Sequence, residues 1–106
     1  MIIFNVTSNI DESIHDEWLK WIKEHIKQVL ATGKFEKATL TRVLVEEEMG
    51  GVTYSVQYRA LSRAALDAFY KEDSPAFRAE ISKKFGDKML AFRTELEILE
   101  EFTASI

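Results

Sequence analysis

Two histidines and two tryptophans share one segment, and they are the first residues in the chain whose types could support chemistry. His15, Trp18, Trp21 and His25 all fall between Asp11 and Gly33. At about 100° per residue, Ile14, Trp18, Leu19, Trp21, Ile22, Ile26, Val29 and Leu30 occupy one broad arc of a helix. Asp16, Glu17, Lys20, Lys23, Glu24, Lys27 and Gln28 lie opposite. Both histidines sit inside the apolar arc, so this helix either buries two titratable rings or lines a pocket with them. His25 carries the functional question. Beside Trp18, Trp21 and Val29, burial disfavours its charged form unless a carboxylate such as Glu95 comes close. The two histidines cannot share one ion, because ten residues of helix separate them by about 15 Å at about 1.5 Å per residue. A zinc ligand must approach to ~2 Å, and no other spacing announces carboxylate partners, so no metal and no cofactor are expected.

Other chemistries fail for want of their motifs. The chain has no cysteine, which removes thiolate nucleophiles, disulfides and cysteine metal sites. It has no Gly-x-Ser-x-Gly nucleophile turn, and Gly50-Gly51 is neither a phosphate loop nor a dinucleotide fingerprint. The run Glu46-Glu47-Glu48 offers three carboxylates. Adjacent positions at a strand end do not converge on one cation, so the run reads as a solvated turn that discourages edge aggregation. A formal net charge of −4 weakens attraction to phosphate backbones and anionic lipid. No nucleic acid and no membrane partner are therefore expected.

These residues need elements to position them. With 106 residues, 46% hydrophobic and 30% charged, the chain has the size and composition of one globular domain spanning 1–106. Ile2 to Asn9 alternates with a two-residue period, as a strand does. Asp11 is the expected N-cap of the first helix and Gly33 its stop. Phe35 to Glu46 and Val52 to Tyr58 read as a hairpin with glycine in its turn. Ser62 caps a second helix, which Ser74-Pro75 interrupts with a fresh N-cap. The continuation spaces Phe77, Ile81 and Phe85 four apart and stops at Gly86. From Met89 to Leu99, Leu90, Phe92, Leu96 and Ile98 alternate with Arg93, Glu95 and Glu97 in a last strand, followed by a short tail. The order β-α-β-β-α-β gives an α+β, ferredoxin-like fold: a four-stranded antiparallel sheet with two helices on one face. No run is long and apolar enough for a membrane span, and Met1-Ile2-Ile3-Phe4 is too short for a signal peptide, so a cytoplasmic protein is expected.

Which sheet face lies under the helices decides what His25 meets. Phe4, Val6, Tyr54, Val56, Tyr58 and Phe92 share a parity that suits the helices, leaving Asn5, Thr7, Ser55, Gln57, Arg59, Arg93 and Glu95 outside. In the swapped arrangement Asn5, Gln57 and Arg93 become the polar groups of a cavity. The candidate pocket is thus Trp18, Trp21 and His25 facing either Tyr54 and Tyr58 or Asn5, Gln57 and Arg93, with room for a small apolar or aromatic ligand. Arg93 and Glu95 read as a cross-strand or cross-subunit ion pair. The face without helices is expected to carry a homodimer contact.

Four stretches, Ile2-Ile3-Phe4-Asn5-Val6-Thr7, Ala31-Thr32-Gly33-Lys34-Phe35, Gly51-Val52-Thr53-Tyr54-Ser55-Val56-Gln57-Tyr58 and Ala91-Phe92-Arg93-Thr94-Glu95-Leu96, resemble an uncharacterised bacterial family, domain-of-unknown-function family 4286. A His-Ile-Pro run of that family is His25-Ile26-Lys27 here, matching the histidine and not the proline. The resemblance implies a dimeric α+β barrel, in which two ferredoxin-like subunits pack sheet to sheet. Relatives of that architecture include cofactor-independent monooxygenases of antibiotic biosynthesis, ethyl tert-butyl ether degradation-like proteins and haem-degrading enzymes. None lends its function by fold alone. The expected function is a homodimeric domain that binds a small molecule or protein partner. The alternatives are a cofactor-independent monooxygenase or isomerase acting on an aromatic or polyketide-like substrate, and a structural interaction module.

Overall fold

The computed structural model describes residues 1–45 and 50–105. Its elements are β1 (Ile2–Ile10), α1 (His15–Ala31), β2 (Phe35–Arg42), β3 (Val52–Ala60), α2 (Arg63–Glu72), α3 (Ser74–Phe85) and β4 (Met89–Glu97). The strands form one antiparallel sheet in the order β2-β3-β1-β4. The fold is the ferredoxin-like α+β arrangement expected from the element order. The run Glu46-Glu47-Glu48 lies outside the described residues.

Element ends follow local chemistry, with small departures from expectation. Asp11 caps a short 3-10 turn, Glu12–Ile14, by accepting from Ser13 N at 2.9 Å, and the α-helix proper begins at His15. Gly33 turns the chain out of α1 at φ 79°, a left-handed conformation that favours glycine. Ser62 caps α2 through Ala65 N at 3.0 Å. The break before α3 falls one residue earlier than expected: Asp73 is the N-cap, Ser74 is helical and buried, and Pro75 sits in the first turn. Lys34 Nζ pins this break from below, 3.0 Å from Asp73 Oδ2 and 3.4 Å from Glu72 Oε2.

One face of the sheet carries all three helices. Phe4, Ile10, Tyr54, Val56, Tyr58 and Ala60 meet Trp18, Ile22, Val29, Leu66, Phe69 and Phe85 in a single core. Trp18 is fully buried, packs tilted against Tyr54 with ring centroids 5.0 Å apart and donates from Nε1 to Met89 Sδ at 3.3 Å.

For β1 and β3 the expected parity holds, and for β4 it is reversed. Cross-strand partners share a face, and β1 pairs with β4 as Ile10↔Met89, Val6↔Arg93 and Phe4↔Glu95. Arg93 and Glu95 therefore lie on the helix side, while Phe92, opposite Thr7, lies outside. Leu90, Phe92 and Leu96 are exposed on the bare face at 59%, 61% and 44%. The reason is the seat of Met89. Once it stands opposite Ile10 and beneath Trp18, strand alternation sends every second residue of β4 outward, whatever its hydrophobicity.

Trp18 joins α1 to both β3 and β4, so Trp18→Ala is expected to destabilise the chain by about 3–5 kcal/mol. Urea denaturation monitored by circular dichroism measures the loss, and a change under about 1 kcal/mol would show that the core closes without it.

Candidate functional site

Successive turns of α1 diverge in what they touch. Trp18 and Ile22 lie over the sheet, whereas Trp21 and His25 turn toward α3. His25 stacks on Trp21 at 4.6 Å and 18°, and meets Phe77 edge-on at 5.1 Å and 84°. Trp21 in turn meets Phe85 edge-on at 5.0 Å. The restart of the chain at Ser74 gives α3 its own axis, which brings Phe77, Arg78 and Ile81 over the same region of the sheet. From below, the inward parity of β4 contributes Met89 and Arg93.

These side chains enclose a slot of about 40 Å³ between the helices and the sheet. Trp21, His25, Tyr58, Phe77, Ile81 and Arg93 are among its walls. Phe4, Arg78 and Arg93 also line a shallower groove of about 310 Å³, completed by Tyr70, Thr94 and Glu95. The slot is apolar and aromatic; the groove at its mouth is charged.

Two groups in this region have been taken from water without full compensation. His25 is 8% exposed, and its Nδ1 is buried with no hydrogen-bond partner among the described residues. Burial lowers its pKa from 6.5 to about 4, with Glu80 opposing the shift and Arg93 adding to it. The ring is neutral at pH 7 and a weak base, which suits hydrogen bonding better than proton abstraction. Arg93 is held below the ordinary arginine range by burial first and by Arg78 second. Among the described residues, neither Arg78 nor Arg93 has a carboxylate within hydrogen-bonding distance. The nearby Glu95 is engaged elsewhere: it accepts from Arg63 Nη1 at 2.7 Å, Arg63 Nη2 at 3.0 Å and Tyr70 Oη at 2.6 Å. Those bonds hold its carboxyl at about 2. Within the chain, Arg93 and Glu95 thus do not pair with each other.

Of the eight residues singled out from the sequence, Trp21, His25, Tyr58 and Arg93 line the slot. Trp18 and Tyr54 belong to the core toward the other end of the sheet, where His15 Nε2 lies 2.6 Å from Tyr54 Oη. Asn5 and Gln57 face each other on the bare side, and Asn5 Oδ1 accepts from Ser55 Oγ at 2.6 Å. Each alternative set contributes one wall residue, Tyr58 from one and Arg93 from the other. Sequence reasoning placed Phe77 and Ile81 on one helical stripe and did not assign them to a pocket. Arg78 left no sequence signal, since a lone arginine on a helix is ordinarily solvated. No cluster of three or more potential metal-ligating His, Cys, Asp or Glu residues occurs among the described residues.

His25 makes stability depend on pH with a definite sign. Between pH 6.5 and about 4 the unfolded chain binds a proton that the folded chain excludes, so stability falls as pH drops through that window. This one group accounts for up to about 3 kcal/mol, fully restored above the upper limit. Urea midpoints measured at about pH 7 and about pH 5 should differ less in His25→Gln than in the parent chain. Equal differences would place His25 in contact with water.

The fold recurs in proteins of distant sequence. Similar structures include MhuD, solved as a mutant with two manganese protoporphyrin IX bound per active site, at TM-score 0.70 and 18% identity over 98% of this chain and 100% of that one. A dimeric ferredoxin-like protein from an uncultured marine organism matches at TM-score 0.70 and 12% identity, covering 98% and 100%. A putative antibiotic biosynthesis monooxygenase from Deinococcus radiodurans matches at 0.62 and 14%, covering 99% of each. At these identities the likeness is one of fold. No curated protein matches the chain. The family described as domain of unknown function DUF4286 matches residues 1–99, and the chain belongs to it.

Proposed function

We propose that this protein is a homodimeric binding domain for a small, largely apolar molecule, taken up in the slot beneath α1 and α3. The observation that carries this reading is His25: a buried ring with an unpartnered Nδ1 on the wall of an apolar slot. A core position would favour a side chain without that uncompensated polar atom. A ligand supplies the missing hydrogen bond. Binding is favoured over the monooxygenase or isomerase reading because a base with a pKa near 4 is poorly matched to proton abstraction at neutral pH. MhuD carries a porphyrin, but the slot here, at about 40 Å³ with His25 held between Trp21 and Phe77, does not accept a macrocycle. At about 40 Å³ the slot is smaller than the ~150 Å³ cavity that takes up a benzene ring, so the ligand proposed seats one edge of its one or two rings in the slot and the rest in the groove of about 310 Å³.

The homodimer part of the reading rests on the bare sheet face. Leu90, Phe92 and Leu96 form an exposed apolar strip there, beside the uncharged Asn5, Thr7, Ser55 and Gln57. A self-complementary contact with a second copy covers such a face. The marine relative, described as dimeric, has the same fold.

Two measurements test these statements. Indole and 2-naphthamide, followed by amide and indole N–H shifts in NMR, should perturb Trp21 and Ile81 in the parent chain. The same titrations should be silent in His25→Leu, with its melting temperature unchanged or raised. Strong destabilisation by leucine, with no shifts in either chain, would return His25 to the core. Light scattering at micromolar concentration should give a dimer that Phe92→Asp dissociates; a monomeric parent chain would overturn the dimer.

A further inference from the structure

We propose that Arg78 and Arg93 form an anion clasp at the mouth of the slot, so that the ligand is a small carboxylate whose apolar end enters toward His25. This rests on the slot being a small-molecule site and specifies what it takes. The two arginines come from different elements, α3 and β4, and both line the slot and the groove. Two other arginines are paired: Arg59 with Glu36 at 3.1 Å and Glu101 at 2.8 Å, Arg63 with Asp67 at 2.6 Å and Glu95 at 2.7 Å. Arg78 and Arg93 have no such partner among the described residues, although they lie close enough to repel.

A half-buried cation beside a like charge is unfavourable unless an anion joins them. Glu95, on the same face and two residues along β4, is the obvious internal candidate. Its oxygens are already occupied by Arg63 and Tyr70, so it borders the groove without neutralising the clasp. An arginine pair meets a carboxylate through planar, two-point hydrogen bonding. Beyond the clasp the walls are Phe77, Ile81, Trp21 and Val6, which favour a hydrocarbon or aromatic body over a second charge. One neutral polar atom at the deeper end of that body supplies the hydrogen bond that His25 Nδ1 lacks.

Calorimetric titration of 2-naphthoate against its neutral isostere 2-naphthamide tests the charge alone. The carboxylate is expected to bind at least tenfold more tightly, and the preference should disappear in Arg93→Gln and shrink in the exposed-site variant Arg78→Gln. Arg93→Lys, which keeps the charge and loses the fork, should retain part of it; circular dichroism checks that each variant folds. Inorganic phosphate, lacking the apolar body, should bind at least tenfold more weakly than 2-naphthoate. Equal affinity for naphthoate and naphthamide overturns the clasp and leaves the slot standing. Phosphate as tight as naphthoate overturns the joint use of clasp and slot, and no binding of either naphthyl probe overturns the slot and the clasp with it.

Discussion

The register of β4 on β1 is the constraint on which the rest of this molecule depends. Strand side chains alternate faces, so a shift of one residue would exchange every inward group of β4 for an outward one. Met89 opposite Ile10 and under Trp18 selects one of the two possibilities. That choice has two consequences at once. It draws Arg93 under the helices, where it borders the slot, and it turns Leu90, Phe92 and Leu96 out to a face that no helix covers. The alternative register would bury three large apolar residues and remove Arg93 from the slot.

The slot exists because two helices and a sheet meet there without closing. The break at Asp73 and Ser74 gives α3 an axis of its own, and Lys34 fastens that break to the end of α1. The contact is partly exposed, so its net stabilisation is small. Its effect is geometric, because it sets where Phe77, Arg78 and Ile81 stand relative to His25. The bidentate contact of Arg63 with Glu95 works similarly at the mouth, keeping a carboxylate away from Arg93 by satisfying it elsewhere.

Marginal stability makes these arrangements informative. A domain of this size retains only about 5–15 kcal/mol against unfolding. An unpartnered imidazole nitrogen and a half-buried guanidinium in one small region consume an appreciable part of that margin. The aromatic cluster of Phe4, Phe35, Tyr58 and Phe69 on the adjoining part of the sheet compensates, with ring centroids 4.9–6.3 Å apart.

Periodicity and capping residues determined most of the fold. The two-residue alternation of Ile2 to Asn9 and Val52 to Tyr58, the helical arc through Trp18, Ile22 and Val29, the cap at Ser62 and the stops at Gly33 and Gly86 act over a few neighbours, so the sequence expresses them directly. The same locality made Trp21 and His25 legible as neighbours one turn apart. The face of β4, and with it the site, was a different matter. Hydrophobicity alone turned Phe92 inward and Arg93 outward, and only the pairing with a strand more than eighty residues away, anchored by Met89 beneath Trp18, decided the reverse. Arg78 reaches the slot through the axis of α3 after its break, which no local pattern encodes. Local rules set which residues share a helix or strand face; long-range register and helix placement set which of those faces meet.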